Sequence, residues 1–376
     1  MNLSIGIVGL PNVGKSTLFN ALTLKGVPAE NYPFCTIDPS VGVVAVPDLR
    51  LQRLSEMAHS AKTIPAVVQF VDIAGLVKGA SLGEGLGNQF LSHIREVDAI
   101  AEVVRIFHDD DVHHVAGEID PLSDIEVIDL ELVLADLQTA EKRLERLERD
   151  AKGGDKVLIA ERDVLRKIVP ALTQGKPARS VQLSVEEAHA ARSLHLLTQK
   201  PVLYVLNRKS GAVNIDAEGG DSWKALMRFF EDSKSAWTFV DAGVEGELSD
   251  VHEDERDNFR RELGVPEDGL SALIKSGYNM LNLISFFTTG EDETRAWTIT
   301  RGSTAPDAGA AIHTDFRDKF IRADVIQCGK LLEVGSLLRQ GSAGQAFAKA
   351  REQGLLRSEG REYVVQDGDV IEFKHG

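Results

Sequence analysis

Gly9-Leu10-Pro11-Asn12-Val13-Gly14-Lys15-Ser16 stands directly after the apolar run Leu3 to Val8, and helical spacing follows it from Thr17 to Leu22. The pattern is G-x-x-x-x-G-K-S between a buried strand and a helix, which is typical of a P-loop. Backbone N–H groups of such a turn converge on phosphate oxygens, and the helix N-terminus adds the positive end of its dipole. Lys15 is placed to reach the β- and γ-phosphates and the Ser16 hydroxyl to bind Mg²⁺. The stretch therefore predicts a site for a nucleoside triphosphate with magnesium.

Composition limits the class of protein that surrounds this loop. The chain has 376 residues, of which 43% are hydrophobic and 27% charged, as expected for a globular protein of two or three domains. It contains no apolar run long enough to span a bilayer, no basic and apolar leader, and two cysteines, too few for a disulfide framework. The net charge of −16 argues against coating nucleic acid through bulk charge. We expect a monomer in the cytoplasm with no membrane partner.

Strand-like runs alternate with helical segments on both sides of a long helical stretch. This alternation predicts an α/β fold, with a P-loop NTPase (G-domain) sheet and helices on both of its faces. The predicted strands after the first are Val41–Val46, Val67–Asp72, Ala99–Phe107 and Val202–Leu206.

The stretch from 125 to 199 has a different, purely helical pattern. It predicts an antiparallel coiled-coil hairpin inserted between sheet strands, interrupted at Lys152–Asp155. Ser184 and Glu187 form a capping-box signature for a third helix. Spacing alone leaves open whether the hairpin is a docking arm or a packing element of its own domain. The seam of the first helix is formed by Leu130, Val133, Leu137, Ala140, Leu144 and Leu147.

The last part of the chain, from about residue 282, predicts a separate small α+β domain. Its strand-like runs begin with Leu283–Thr288 and Thr294–Thr300. Glu362–Val365 and Val370–Phe373 flank a glycine and predict a terminal hairpin.

Two further patterns complete the phosphate side of the site. Asp72-Ile-Ala-Gly75 follows a predicted strand, so the Asp72 carboxylate is placed near Mg²⁺ and the Gly75 N–H near the γ-phosphate. The Thr36 hydroxyl, in the loop before the second strand, is a further candidate Mg²⁺ ligand with a switch function. Leu76 occupies the position at which switch GTPases place a water-orienting glutamine. Hydrolysis is then slow, or another group positions the water.

With these motifs in place, the chain closely resembles the YchF/Obg-like ATPase family over nearly its whole length. The resemblance implies a G domain (1–124 and 200–281), a helical coiled-coil insertion (125–199) and a C-terminal TGS domain of β-grasp type (282–376). It also implies a nucleotide hydrolase of the cytosol that associates with ribosomes in translation and stress responses; the expected partners are ATP or GTP, the ribosome (its large subunit or the whole particle) and RNA. Besides the P-loop, the strings that carry the resemblance are Phe34–Pro39, Asp72–Ser81, Gly83–Phe90, Arg295–Ile299, Ile312–Phe316 and Tyr363–Val370.

The resemblance also implies roles for individual residues. The family has a hydrophobic residue in place of the catalytic glutamine, which Leu76 matches, and a histidine thought to assist hydrolysis, which aligns with His114. We therefore expect Lys15 and His114 to be catalytic and Ser16, Thr36 and Asp72 to hold Mg²⁺. Asn12 resembles an asparagine that coordinates K⁺ in some related GTPases. The expected nucleotide-binding residues are Asn12, Val13, Gly14, Lys15, Ser16, Thr17, Gly75, Asn207, Ser210, Asp241, Ala242 and Gly243.

The base-recognition motif departs from both patterns known in these families. GTPases use Asn-Lys-x-Asp, whose carboxylate pairs with the N1 and N2 protons of guanine, and Obg-like ATPases carry Asn-x-x-Glu. Here the sequence is Asn207-Arg208-Lys209-Ser210, and the later base loop is Val240-Asp241-Ala242-Gly243. Without a carboxylate at 210 the guanine pair cannot form. ATP preference and loss of discrimination both fit this pattern.

Two functions from different classes remain after these observations. The first is hydrolysis of ATP or GTP by a ribosome-associated switch. The second is a nucleotide-gated module that binds RNA or protein without hydrolysis, which Leu76 and Ser210 leave open. Mg²⁺-dependent turnover, measured with and without ribosomes, discriminates between them.

Overall fold

The glycine-rich turn lies between strand β1 (Ser4–Val8) and helix α1 (Lys15–Leu24). The computed structural model describes residues 3–24, 26, 40–73, 86–109, 119–248, 251–265, 268–338 and 342–376. The remaining strands are β2 (Val41–Ala45), β3 (Lys62–Ile64), β4 (Val67–Asp72), β5 (Ala99–Arg105), β6 (Val202–Asn207), β7 (Ala236–Val240), β8 (Leu283–Thr289), β9 (Glu293–Thr300), β10 (Phe320–Gln327), β11 (Arg357–Glu359) and β12 (Asp369–His375).

The helices differ widely in length, from one turn to eight. They are α2 (Leu49–Ala58), α3 (Leu86–Glu96), α4 (Pro121–Asp150), α5 (Lys156–Thr173), α6 (Val185–Arg192), α7 (Ile215–Glu218), α8 (Asp221–Ser233), α9 (Ala242–Glu247), α10 (Glu253–Glu262), α11 (Gly269–Met280), α12 (Ala305–Ile312), α13 (Thr314–Asp318), α14 (Cys328–Ser336) and α15 (Ala343–Glu352).

The P-loop belongs to a six-stranded sheet with the order β2-β4-β1-β5-β6-β7. Strands β4, β1, β5, β6 and β7 run parallel to one another, so their carboxyl ends meet at one edge. At that edge Ile7 pairs with Asp72, and Asn207 pairs with Val240. Helices cover both faces of the sheet, which confirms the α/β prediction. This topology brings the P-loop, Asp72 and the base-recognition loops to the same edge, where ligands of open α/β sheets bind.

Helix α4 covers one face of this sheet with its first turns. Ile125 packs into a buried cluster with Tyr204 and Leu206 of β6 and with Leu226 and Phe230 of α8. The capping residue Asp120 accepts a hydrogen bond from Ser123 N at 3.2 Å, and a proline occupies the first turn. The long helix is therefore anchored to the sheet at its N-terminal end.

The remainder of α4 forms an antiparallel pair with α5. Val133, Ala140 and Leu147 are fully buried against α5, as the seam predicts, but Leu130 is 50% exposed. The prediction for Leu130 is wrong because Ile128 and Leu132, two residues to either side, face the protein interior and turn Leu130 outward. The break falls between Asp150 and Lys156, close to its predicted place.

The second sheet has six strands in the order β11-β10-β12-β8-β9-β3. Strands β8 and β9 form an antiparallel hairpin, α12 packs on the sheet, and β12 returns parallel to β8. This is the β-grasp arrangement. The predicted terminal hairpin is wrong: β12 pairs with β10 and β8, and Val364 makes only an isolated bridge with Thr304. The backbone of this segment is bonded instead to the turn before α12: Ala305 N donates to the Tyr363 carbonyl oxygen at 2.8 Å, and Val365 N donates to that of Ser303 at 3.0 Å.

The chain divides into two units that are both discontinuous. The first contains Met1–Lys25, Thr36–Gly42 and Gln69–Ser276, and the second contains Gly26–Cys35, Val43–Val68 and Gly277–Gly376. Helix α2 and strand β3, early in the chain, thus belong to the second unit, where β3 pairs with β9. Across the described ranges, no helix has the length and apolar character needed to cross a membrane.

Candidate nucleotide-binding and catalytic site

The P-loop backbone depends on both of its glycines. Gly9 and Gly14 have φ angles of 155° and 98°, which side chains disfavour. A Cβ atom on Gly9 would lie 2.6 Å from the Val103 carbonyl oxygen, and one on Gly14 would overlap the Asn207 amide nitrogen. The loop can therefore pass close to β5 and to the end of β6 only because these positions carry no side chain.

Lys15 is held inside the loop that it serves. Its side chain is buried, and Nζ donates a hydrogen bond to the Leu10 carbonyl oxygen at 2.7 Å. Burial lowers its pKa, while the charge of Asp72 acts in the opposite direction. Ser16 and Thr17 are exposed at the first turn of α1. The helix N-terminus thus presents two hydroxyl groups beside a buried ammonium group, an arrangement suited to phosphate.

Asp72 ends β4 beside the start of the P-loop. Its backbone N–H donates to the Ser40 carbonyl oxygen at 2.8 Å, which fixes the end of the strand. Burial raises the pKa of its carboxyl group, and Lys15 lowers it. The Ser16 hydroxyl and the Asp72 carboxylate are hard oxygen donors of the kind Mg²⁺ prefers. They fit a site that keeps several waters and phosphate oxygens as its other ligands.

Four residues predicted for the phosphate side lie outside the described residues. They are Thr36, Gly75, Leu76 and His114. The predicted Mg²⁺ set is therefore represented in the structure by Ser16 and Asp72, and the predicted catalytic pair by Lys15. Within the described part of the chain, no group of three or more His, Cys, Asp and Glu side chains is arranged to hold a metal ion.

Asn207 connects the phosphate and base sides of the site. It is 4% exposed at the end of β6. Its Nδ2 donates to the Val13 carbonyl oxygen at 2.9 Å, and its Oδ1 accepts from Ala242 N at 3.1 Å. One amide group thus ties together the P-loop, the loop after β6 and the loop before α9. The structure thus brings together Val13, Asn207 and Ala242, three of the residues predicted to bind nucleotide.

Ser210 and Asp241 contact each other at the base end. Ser210 N donates to Asp241 Oδ2 at 2.6 Å, and Ser210 Oγ donates to the Leu263 carbonyl oxygen at 2.6 Å. The other carboxylate oxygen of Asp241 caps α9 by accepting from Val244 N at 3.0 Å. Gly243 is exposed in the first turn of that helix. Both polar side chains at the base end are therefore bonded to backbone groups.

A cavity of about 470 Å³ adjoins this loop. Its lining includes Lys209, Ser210, Asp241, Leu263 and Gly269. Nucleotide-binding sites in parallel sheets occupy such a position, past the carboxyl ends of the strands. The cavity is large enough for a purine ring.

Sequence reasoning missed the residues that support these loops. Asn214 accepts from Lys209 N and donates to Lys209 O, each at 3.1 Å, and so closes the loop after β6. Buried Glu245 pairs with Arg260 at 3.0 Å and accepts from Gly269 N at 3.1 Å, which holds the start of α11 against α9. An asparagine after Gly211 is typical of a turn, but its partners depend on contacts that no local pattern specifies.

Two protein families match separate parts of the chain. Residues 4–159 match MMR_HSR1, described as "50S ribosome-binding GTPase". Residues 283–376 match YchF-GTPase_C, described as "Protein of unknown function (DUF933)". The first match contains the P-loop, and the second begins at β8 of the β-grasp unit.

Full-length relatives are similar to the whole chain. The Bacillus subtilis protein named "Ribosome-binding ATPase YchF" is 49% identical over 374 residues, which cover 100% of this chain and 99% of that protein. The protein of the same name from Escherichia coli O157:H7 is 48% identical over 374 residues, 99% of each chain.

A solved structure has the same architecture. The "Structure of the Schizosaccharomyces pombe YchF GTPase" superposes with a TM-score of 0.85 and 37% sequence identity, over 99% of this chain and 98% of that one. Identity at this level over the full length, together with the P-loop and the bridging Asn207, leads to one conclusion. The chain belongs to the YchF family and is a P-loop nucleoside-triphosphate hydrolase.

Proposed function

We propose that this protein is a ribosome-associated switch that hydrolyses ATP, or GTP, to the diphosphate with Mg²⁺, and that ATP is the preferred substrate. The observation that carries the proposal is the buried Lys15, held beside Asp72 in a P-loop that Asn207 ties to the base end. The names of the relatives, "Ribosome-binding ATPase YchF", support the substrate and the partner.

The P-loop residues bind the phosphates in this proposal. The backbone N–H groups from Asn12 to Thr17 surround the phosphate oxygens. Lys15 exchanges its bond to the Leu10 carbonyl oxygen for the β- and γ-phosphates, which compensate its buried charge better than a neutral carbonyl does. Ser16, Thr36 and Asp72 hold Mg²⁺, which neutralises developing charge on the phosphates when bound. Gly75 places its N–H at the γ-phosphate.

The attacking water is activated by a residue other than the glutamine that switch GTPases use. Leu76 cannot hydrogen-bond to water, so we assign the task to His114. An imidazole titrates near neutral pH and can orient or deprotonate water. Lys15 acts as the second catalytic residue because it contacts the transferred phosphoryl group. Asn12, with a φ angle of 65°, is the candidate K⁺ ligand; equal hydrolysis rates in Na⁺ and K⁺ would remove that role.

The base end favours ATP because it does not carry the carboxylate that selects guanine. Ser210 has its hydroxyl proton engaged by Leu263, and Asn207 and Ala242 are engaged with each other. We propose that Asn207, Ser210, Asp241, Ala242 and Gly243 surround the base and that main-chain groups make most of the polar contacts with it.

The partner-binding parts are the helical insertion (125–199) and the C-terminal domain (282–376), which we assign to the TGS type. Nucleotide binding, sensed by Thr36 and Gly75, would change how these parts bind the ribosome and its RNA. In this proposal the protein works as a monomer in the cytoplasm, in translation and stress regulation.

Phosphate release with Mg²⁺, measured with and without ribosomes, tests the proposal. We expect turnover in at least one condition, and we expect Lys15→Ala to reduce kcat by 100-fold or more, about 3 kcal/mol of transition-state stabilisation. Ser233→Ala, an exposed change at the end of α8 and outside both partner-binding parts, serves as the control. If the wild-type protein binds ATP but never turns it over, the alternative function gains support: a nucleotide-gated module that binds RNA or protein without hydrolysis.

A further inference from the structure

The base end contains a carboxylate, but not at the position that selects guanine. In the loops Asn207–Ser210 and Asp241–Gly243, all of which are described, the acidic residue is Asp241. It is 6% exposed, and its Oδ2 lies 2.6 Å from the backbone nitrogen of Ser210. Its charge is therefore immediately behind the residue whose side chain would contact the base edge.

Two contacts oppose a second carboxylate at position 210. The Ser210 hydroxyl donates to the Leu263 carbonyl oxygen, whereas an ionised carboxylate has no proton to donate and would face that oxygen as an acceptor. The Asp241 carboxylate would also lie within a few ångströms of the new charge. Two negative charges at such a short distance disfavour each other's ionised form. The Asp241 carboxylate is already stabilised by two backbone N–H groups, so the new carboxylate at 210 would be the one disfavoured.

We propose that positions 210 and 241 together determine the purine specificity of this base site: the charge of Asp241 disfavours an ionised carboxylate at position 210, so that guanine selection requires both a carboxylate at 210 and the loss of the charge at 241. The proposal rests on the function proposed above and names the residue pair that sets its purine preference. Positions 210 and 241 then act as one unit that accommodates a single negative charge.

The test compares the wild type with Ser210→Asp, Asp241→Asn and the double variant. Asparagine at 241 keeps an acceptor for one backbone N–H and removes the charge. Unlabelled ATP and GTP, each with Mg²⁺, displace a fluorescent ATP analogue labelled on the ribose, and the ratio of their Kd values is measured. We expect the double variant to shift this ratio toward GTP by about tenfold or more, the effect of a hydrogen bond to a charged group. The ratio of Kd values in each single variant should stay within about threefold of the wild-type ratio, because neither variant combines a carboxylate at 210 with a neutral residue at 241.

Two results would overturn the proposal. Ser210→Asp alone could shift the ratio as far as the double variant does, which would mean that Asp241 does not oppose the second charge. Alternatively, the double variant could leave the ratio unchanged. A wild-type protein that binds neither nucleotide would instead contradict the proposed function, so the two failures are distinguishable.

Thermal melting of each variant shows whether it folds. If the double variant with asparagine does not fold, Ser210→Asp with Asp241→Ser is measured by the same criteria, since serine also caps helices. Ser193→Asp is the matched control. Ser193 is exposed and its Oγ donates to a backbone carbonyl at 2.7 Å, as that of Ser210 does, but it lies on the helical insertion. The control should keep the wild-type ratio.

Discussion

At the scale of single residues, Asn207 joins the P-loop to the base end of the site. Its side chain connects β6 to Val13 of the P-loop and to Ala242 at the start of α9, two residues that lie 229 positions apart in the chain. Both backbone groups that it satisfies are buried, so water cannot replace the amide. The P-loop and the base loops therefore keep their spacing through one side chain.

Replacing Asn207 should affect both folding and binding. We expect Asn207→Ala to lower the free energy of unfolding by about 2–4 kcal/mol, because it leaves a buried carbonyl and a buried N–H without partners. Urea denaturation measures this loss, and titration with Mg²⁺–ATP should show weaker binding. Asn207→Asp is the informative comparison: it keeps an acceptor for Ala242 N but directs an oxygen at the Val13 carbonyl. ATP affinity of the aspartate variant equal to that of the wild type would contradict the bridging role.

The residues of the site differ in how far sequence alone could predict them. Local patterns were sufficient to predict where the P-loop, Asp72 and Asn207 lie in the fold, because each belongs to a motif with a fixed place at the end of a strand. The bond between Ser210 and Asp241 spans 31 residues and depends on which strands are neighbours. The same holds for the Leu263 carbonyl that accepts from Ser210. Contacts of this kind follow from the fold and not from spacing.

At the scale of elements, the hairpin of α4 and α5 shows what periodicity predicts and what it does not. The heptad pattern located the helix and its seam, and Val133, Ala140 and Leu147 are buried there. Leu130 fits the same pattern but faces solvent, because at that turn the helix packs on the sheet through its other face. The hydrophobic repeat of a sequence defines an apolar face on the helix. Which element covers each part of that face depends on the tertiary structure.

A matched pair of substitutions tests this difference. Leu147 is fully buried, whereas Leu130 is 50% exposed on the same helix. We expect Leu147→Ala to lower the free energy of unfolding by about 2–5 kcal/mol through the cavity it leaves. Leu130→Ala should change it by less than about 0.5 kcal/mol, as for other exposed sites. Urea denaturation of both variants gives the comparison, and equal losses would contradict the assignment of the two faces.

At the scale of the whole molecule, the second unit is held together by contacts between distant segments. Arg50 of α2 donates to Asp367 at 2.7 Å across 317 residues, and Asp367 also accepts from Ser285 N at 3.0 Å. The guanidinium group of Arg50 lies over the Phe287 ring at 5.3 Å. Nothing local in residues 43–68 indicates that they belong with residues 277–376, so sequence patterns could not predict this part of the domain division.

The Arg50–Asp367 pair gives the second unit a pH dependence with a defined sign. Burial raises the pKa of Asp367, but the hydrogen bonds from Arg50 and Ser285 N outweigh it, and the net pKa is below the ordinary value. A carboxyl group whose pKa is lower in the folded chain stabilises the fold above its unfolded pKa, about 4, and loses this contribution as the pH falls through the folded value.

Asp367→Asn removes the charge and keeps an acceptor for Ser285 N. We expect it to lower the free energy of unfolding by about 0.5–1 kcal/mol at pH 7, the size of a half-exposed ion pair. The difference from the wild type should shrink below about pH 4 and disappear below the folded pKa. Urea denaturation across this pH range, followed through hydrogen exchange in β8 to β12, measures it. Asp292→Asn, at an exposed turn, is the control, and a difference that is constant with pH would refute the assignment.

The placement of α2 and β3 in the second unit has a consequence for how the protein is made. A polypeptide leaves the ribosome from its N-terminus at about 5–20 residues per second. Arg50 is therefore synthesised roughly 15–60 seconds before Asp367, which is 317 residues further on. For most of that interval α2 and β3 exist without β9, with which β3 pairs, and until its end they exist without β12. The second unit should therefore acquire its stability only at the end of synthesis, and in nascent chains stopped before β12 the segment 43–68 should remain open to proteases.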